Sequence, residues 1–485
     1  MLPFTLPGER CLACDVCCRF NEAGSLMAPV FSAEEMDAAE RAGLAPSAFC
    51  RTGYGRSEPI LLEPGRDHAI CPAFDENANT CRIYETRPLD CAIYPFVLSF
   101  DERGASVYLG GDLACPFVVD NLCSAAFRDH AQTLARRLDA SLTPDLNRDS
   151  RFIAWHRPEF EALAPLPAMS AAVCRSDLRL ARLTPETAAE MQHYFDDQPG
   201  DASHHAMAPI FAWTDLFNIY YRETGDRLLL FGEDGGGAFL WLPPVGRGPM
   251  GPALAEAVAI LRELGRDETS CRIDNVAEDQ VPALTAAGPV ANERTEEFVY
   301  VRDRLIALSG RSLHGKRAAC NHFAKHHPDA TFEPFRDEDI PEALALYRRW
   351  AAGRTALHAD AFYGAQIEAS MLMHYRVMRH AGTLDLVGRA LRADGRLVGY
   401  TFGFPLRGTD TAVILVEVAD LAVRGAAATV FRAFARTWDS AARINTMGDS
   451  GLPNLRRAKM LYGPDRLVPV YTVRPTSEVC LASDV

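Results

Sequence analysis

The sequence predicts an α/β (α+β) protein in two parts: a small, irregular Cys-rich metal-binding module, then helices and strands around a mostly antiparallel central sheet. Three observations carry that reading. Ten of the fourteen cysteines lie within the first 123 residues. The same segment is rich in Gly and Pro and has no long periodic run, as expected where bound metal replaces a large apolar core. Beyond about residue 168, helical and strand-like periods alternate to the end of the chain.

Eight cysteines have the spacing of metal ligands: Cys11, Cys14, Cys17 and Cys18, then Cys71, Cys81, Cys91 and Cys115. Thiolates two residues apart can turn back onto one ion. Four thiolates satisfy tetrahedral zinc and a four-iron cluster equally well, so spacing leaves zinc and iron-sulfur open. Eight can supply two sites, with Cys17 and Cys18 sending one ligand to each because adjacent side chains diverge. The alternative is one metal and several structural thiols. Arg87 and Pro88 are expected to fix the turn ahead of Cys91. Met1 to Arg10 has no basic stretch followed by an apolar run, and about 18 uninterrupted apolar residues occur nowhere. A cytoplasmic protein with no transmembrane segment is therefore expected, and with it reduced thiols rather than disulfides.

With 485 residues, 48% of them hydrophobic, the chain can build two or three domains. A net charge of -14 argues against a protein that coats DNA, since binding to phosphate backbones relies on a basic surface. Residues 1–123 carry -9 of that charge, so any basic groove belongs to the second part. There the basic residues are unevenly chosen. The chain has 47 arginines and only three lysines, Lys316, Lys325 and Lys459. A compact ammonium whose pKa shifts readily is not interchangeable with a guanidinium, which is a physical reason to keep these three.

In chain order, Asn121 to Leu142 reads as an amphipathic helix, and TPDLNRDSR with Pro158, Pro165 and Pro167 reads as a linker to about 168. RLLLFGED and GAFLWLPP read as paired strands around a glycine turn, and SCRIDNV as a short strand. Ser309 to His327 is a helix closed by Pro328. After it come strand ATFEPF, helices EDIPEALALYRRW and FYGAQIEASMLMHYRVMRH, and strands LDLVGRALR, RLVGYTFGFPL and TAVILVEVAD. Helix GAAATVFRAFARTWDSA, strand RINTM, helix LPNLRRAKMLY and strand LVPVYTV complete the chain. The domain division expected is 1–125, 126–168 as helix and linker, 169–310 and 311–485.

Two resemblances follow from these residues. CLACDVCC at 11–18 and CPAFDENANTCRIYETRPLDCAIYPF at 71–96 resemble the YkgJ-type cysteine-cluster family of zinc- or iron-chelating proteins, with the eight cysteines above as the family's ligands. From about 175 to 475 the chain resembles the C-terminal catalytic domain of phosphatidylglycerol lysyltransferases. Three segments carry the second likeness. They are YVRDRLIALSGRSLHGKRAACNHF with His314, Lys316, Arg317, Asn321 and Phe323; VEVAD with Glu417, Ala419 and Asp420; and INTMGDSGLPNLRRAKMLYGP with Asn445, Asp449, Lys459 and Tyr462. Leu415 and Val418 stand where that family commonly has His and Lys, and Ala318 where it has Asn. The resemblance implies a tandem acyltransferase fold of the acetyltransferase (GNAT-like) superfamily.

Acyl transfer needs an anion site for the donor, a group that deprotonates the acceptor, and donors aimed at the developing oxyanion. His314, Arg317, Asn321 and Lys325 recur every three or four residues and share a helix face that suits a phosphate of tRNA, coenzyme A or a nucleotide, the alternative being a solvated basic helix. Glu417 on an otherwise apolar strand is the candidate base, because a buried carboxylate needs a partner or a raised pKa. Asp449 is the second catalytic candidate and also suits a cap on LPNLRRAKMLY. Lys316, Asn445, Lys459 and Tyr462 complete the donor- and anion-binding set. Arg424-Gly425 before an alanine-rich helix is a possible pyrophosphate turn. The function expected is a cytoplasmic acyl- or aminoacyl-transferase with an N-terminal zinc or iron-sulfur site, using acyl-CoA or aminoacyl-tRNA as donor. The alternative is a metal-binding or redox-sensing protein whose transferase-like fold is a non-catalytic platform.

Overall fold

The computed structural model describes residues 16–22, 25–49, 57–65, 68–146, 149–197, 200–214, 216–234, 237–264, 272–285, 290–357 and 361–475. The chain divides into two compact units, Met1–Thr187 and Ala188–Val485. No described helix is long and apolar enough to cross a membrane.

The first unit has more core than its sequence suggests. Phe31, Met36, Phe49, Ile60 and Leu62 form one apolar cluster, with Cys71 in it. A second forms where strands β1 (Phe96–Phe100), β2 (Val107–Asp112) and β3 (Phe160–Pro165) pair antiparallel in the order β3-β2-β1. Helix α1 (Ala125–Leu146) closes that cluster with Phe127, Leu134 and Leu138. Burying one such side chain contributes about 1.5–3 kcal/mol, so metal is not the unit's sole support.

The expected linker is corrected here. α1 runs through Pro144, and Leu146 is buried in the second cluster. Asp149 accepts the Ser57 N–H at 2.5 Å, and Phe160–Pro165 is a strand rather than a low-order stretch. Apolar burial overrides the local proline signal.

In the second unit one sheet runs through strands β4 (Asn218–Thr224), β5 (Arg227–Asp234), β6 (Gly237–Leu240) and β7 (Ile273–Ala277). It continues with β8 (Val290–Val301), β9 (Thr331–Pro334), β10 (Val387–Ala393), β11 (Arg396–Leu406), β12 (Thr411–Ala419), β13 (Arg443–Asn445) and β14 (Arg466–Pro475). Their spatial order is β4-β5-β6-β7-β14-β8-β13-β12-β11-β10-β9. The last described strand thus lies between β7 and β8, joining the two halves of the sheet. Pairing is antiparallel except for β6 with β7 and β12 with β13. The unit's helices include α2 (Met250–Leu264), α3 (His314–His326), α4 (Ile340–Leu357), α5 (Ala361–Arg379), α6 (Ala426–Thr437) and α7 (Pro453–Met460). The expected elements of the final 150 residues are all present. α3, however, starts at His314 rather than Ser309, because the Arg317 guanidinium turns back to the Leu308 carbonyl and Leu308 has φ 49°.

Two irregularities shape the site. On β12 the register against β11 passes from Val416↔Phe402 to Ile414↔Gly403, leaving Leu415 as an extra residue. Such a bulge resets which side chains face which way. Ala412 and Ile414 pack with Phe431 and Phe434 of α6, and beyond the bulge Ala419 returns to that helix beside Val430. Glu417, two residues before Ala419, therefore points to the helix side. The second irregularity is that β13 pairs with β12 only as far as Asn445↔Val413. Past that point the two strands part.

α6 meets α3 closely at Gly425, which has φ 91° and where a Cβ would lie 2.2 Å from the Ala319 carbonyl oxygen. Helix packing is what requires this glycine. Gly425→Ala is expected to lower stability by about 2 kcal/mol or more, from backbone strain plus the clash, read as a lower urea midpoint with an unchanged slope.

Candidate active site and candidate metal centre

In the first unit, backbone pairing collects the cysteines. Arg19–Phe20 pairs antiparallel with Ala69–Ile70, and Cys71 N–H donates to the Cys18 carbonyl at 3.0 Å, so Cys18 and Cys71 lie side by side. The hairpin of Phe74–Asp75 with Thr80–Cys81 returns Cys81 toward them. Cys91 sits in the short helix Leu89–Ile93, held by two carboxylates. Glu35 accepts the Leu89 N–H at 2.7 Å while completing a capping box with Ser32, and Asp90 accepts the Val30 N–H at 3.1 Å. Arg87 lies over the Tyr84 ring ahead of this helix.

The sulfurs feel one another. Burial pushes Cys18 up to about 12 and Cys71 up to about 11, and repulsion from Cys81 adds to both. Cys91 is pushed well above the usual thiol range by burial, with Asp90, Cys18, Cys71 and Cys81 adding. Cys17 and Cys115 instead bear on the Tyr94 hydroxyl, together with Asp112. Cys11 and Cys14 lie outside the described residues. Among the described residues no three Cys, His, Asp or Glu groups close on one metal-sized position. The donor set itself fits a thiophilic metal. Four crowded thiols that burial and mutual repulsion keep protonated are the groups a cation would deprotonate and hold.

In the second unit, past the parting of β12 and β13, the Met447 carbonyl accepts the Phe298 N–H of β8 at 3.3 Å, while those of Thr446 and Gly448 lack a strand partner. Lys459 of α7 supplies one. Its ammonium donates to the carbonyls of Thr446 at 2.5 Å, Met447 at 3.2 Å and Gly448 at 2.6 Å. Asn445 starts the turn by accepting the Met447 N–H at 2.7 Å, and Met447 takes φ 62°. With its three donors engaged, Lys459 builds the site instead of reaching out of it. Burial lowers its pKa to about 8 against the opposing pull of Glu297, Asp449 and Glu417.

Glu417 faces this turn from β12. Its Oε2 is inaccessible and has no hydrogen-bond partner. Burial raises its carboxyl to about 8, opposed by the charges of Lys316 and Lys459. The charge of Lys316 on α3 bears on it, the ammonium lying 4.3 Å from the centre of the Tyr462 ring, and burial holds its pKa below the usual lysine range. Tyr462 packs on Phe431, and its hydroxyl is pushed far up by burial, Glu417, Cys320 and Tyr300. Tyr300 donates to the Lys459 carbonyl at 3.0 Å.

Other expected residues fall elsewhere. His314, Asn321 and Lys325 stand exposed on α3, and Arg317 is spent on the Leu308 carbonyl. Asp449 does not cap α7, whose N-cap is Leu452. It accepts the Gly451 N–H at 3.0 Å and pairs with Arg456 at 3.1 Å. Asn445 is fully buried and donates to Glu297 at 2.6 Å. Glu297 and Ser203, which bonds it, were missed by sequence reasoning. A carboxylate in the strand run EEFVYV was the available signal.

The family model for "Phosphatidylglycerol lysyltransferase, C-terminal" matches residues 199–474. The chain belongs to this family. Residues 10–126 match the model for "Putative zinc- or iron-chelating domain". No curated protein matches. Among solved structures, a conserved protein of unknown function from Bacteroides thetaiotaomicron is 22% identical, with TM-score 0.54 over 61% of this chain and 99% of that one. L-PGS from Bacillus licheniformis is 15% identical, with TM-score 0.43 over 62% and 95%. A tandem GNAT protein from the clavulanic acid biosynthesis pathway is 15% identical, with TM-score 0.35 over 62% and 99%. Over that region the chain shares its fold with the Bacteroides thetaiotaomicron protein.

Lys459→Met is expected to strand the Thr446 and Gly448 carbonyls and cost about 2 kcal/mol or more, and Lys459→Arg to rescue little, because a planar fork cannot aim its donors into one tight turn. Urea unfolding followed by tryptophan fluorescence reads both. In the first unit, Cys71→Ser and Cys91→Ser are expected to lower bound metal per chain, while Cys123→Ser and Cys174→Ser leave it unchanged, measured by elemental analysis after anaerobic purification.

Proposed function

We propose that this protein is an acyl- or aminoacyl-transferase in which Glu417 takes the acceptor's proton. The observation that carries the reading is the Glu417 carboxylate itself, re-aimed by the bulge at Leu415 into the parting of β12 and β13, with Oε2 unpartnered. The acceptor N–H or O–H attacks the donor carbonyl, its proton passes to Glu417, and the bond to the leaving group breaks. That proton then returns to the departing thiolate or alkoxide. Lys316 beside Tyr462 is the cation for a donor phosphate or the oxyanion. Asp449 and Lys459 act by shaping the turn. Direct transfer within a ternary complex needs no enzyme nucleophile, and buried Cys320, its thiol raised by burial, supplies none.

For the first unit we propose Cys18, Cys71, Cys81 and Cys91 as one ligand group, and Cys17 and Cys115 as part of a second with Cys11 and Cys14. Bound there, zinc would brace the fold and an iron-sulfur cluster would carry an electron.

Two buried apolar residues favour a second reading. Leu415 and Val418 occupy the positions at which the family commonly has His and Lys. The protein would then be a metal-binding or redox-sensing protein whose transferase-like fold is a non-catalytic platform.

Labelled acyl-CoA and aminoacyl-tRNA offered to the purified protein decide between the readings. Transfer or tight binding of either supports the transferase. Neither, together with a shape change on metal removal or oxidation, supports the platform. Because Glu417 sits at about 8, its basic form grows as pH rises, so kcat/KM is expected to climb to a plateau above about pH 8. Glu417→Gln is expected to lose about 10²- to 10⁴-fold and the rising limb with it.

A further inference from the structure

Glu297 lies on β8, two residues before Val299, which pairs with Asn445 of β13. It is 94% buried, yet its carboxylate is saturated. Oε2 accepts the Asn445 Nδ2 at 2.6 Å and the Ser203 N–H at 2.8 Å, while Oε1 accepts the Ser203 hydroxyl at 2.6 Å. Against burial, His204 first and then the two Ser203 hydrogen bonds hold its pKa below the usual carboxylate range. His204 is itself buried, its Nδ1 is 3.8 Å from Oε1, and both its ring nitrogens lack a hydrogen-bond partner.

Asn445 carries the connection onward. One end of its amide is fixed by Glu297, and the other accepts the Met447 N–H that sets the 446–448 turn. The carbonyls of that turn surround Lys459. A buried network of this kind holds its members rigidly only while each is satisfied.

We propose that Glu297 is the positioning residue of the site: through Asn445 it holds the 446–448 turn around the Lys459 ammonium, and Ser203, far away in sequence, locks it there. The charged groups that bear on Lys459 are Glu297 from β8, Asp449 from its own loop and Glu417 from β12. Those that bear on Glu417 are Lys316 and Lys459. Removing the charge of Glu297 makes the Lys459 ammonium easier to deprotonate, and Glu417 then loses a cation that favours its ionised form. Only the effect on Glu417 rests on the transferase reading.

The chain's three lysines make the test direct. The full-length protein labelled with ¹³Cε-lysine gives three side-chain signals, with exposed Lys325 as internal control. In Glu297→Gln the Lys459 titration midpoint is expected to fall by about one pH unit, a tenfold change in its protonation equilibrium. Lys325 is expected to stay. Ser203→Ala removes one bond and leaves the backbone one, so it moves Lys459 the same way by less, and it serves if Glu297→Gln does not fold. An unmoved Lys459 midpoint in whichever of these variants fold overturns the proposal. The rising limb of kcat/KM is expected to shift to higher pH in Glu297→Gln. A moved Lys459 signal in a protein with no transferase activity upholds the positioning role and refutes the transferase reading instead.

Discussion

The second unit depends on one substitution of partners: a lysine ammonium stands in for a β-strand. Where β13 leaves β12, the Met447 carbonyl keeps the Phe298 N–H of β8, but those of Thr446 and Gly448 have no strand to satisfy them. Left in a half-buried turn, each would cost about 1–3 kcal/mol. Lys459, brought over by α7, donates to both and to the Met447 carbonyl as well. The strands can therefore stay apart, and the opening between them receives Glu417. An arginine could not do this, which explains why a chain of 47 arginines keeps a lysine here.

The same opening sets the chemistry of Glu417. The bulge at Leu415 turns this carboxylate toward the helices, where burial favours its neutral form and two lysines favour its charged form. Burial outweighs the lysines and leaves the carboxyl at about 8. Its proton is consequently exchangeable near neutrality, the condition a general acid or base requires. Lys316, resting on the Tyr462 ring, is the cation of the pair still able to meet a substrate.

The first unit solves a different problem. It has two apolar clusters, and each contains a cysteine, Cys71 in one and Cys115 in the other. Thiols in such surroundings stay protonated unless a cation replaces the proton. Folding and metal binding are thus linked there through the same groups.

Much of this was legible in the sequence. Period and turn signals located the strands of the final 150 residues, and an acidic residue in the apolar run TAVILVEVAD singled out Glu417. The scarcity of lysine pointed to Lys316 and Lys459. What local pattern could not supply was direction. Lys459 looked like a ligand for substrate and is a ligand for its own backbone, because the carbonyls it serves belong to a turn that exists only once β12 and β13 part. Asp449 looked like a cap and is the partner of Arg456. Glu297 carried no motif at all, since its partners Ser203 and Asn445 lie 94 and 148 residues away. The sequence by itself determined element order, the cysteine set and the residue types available for proton transfer, because those follow from composition and short-range period. Tertiary structure alone decided which charges are spent on the fold and which remain for chemistry, because that depends on what each side chain meets across the sheet.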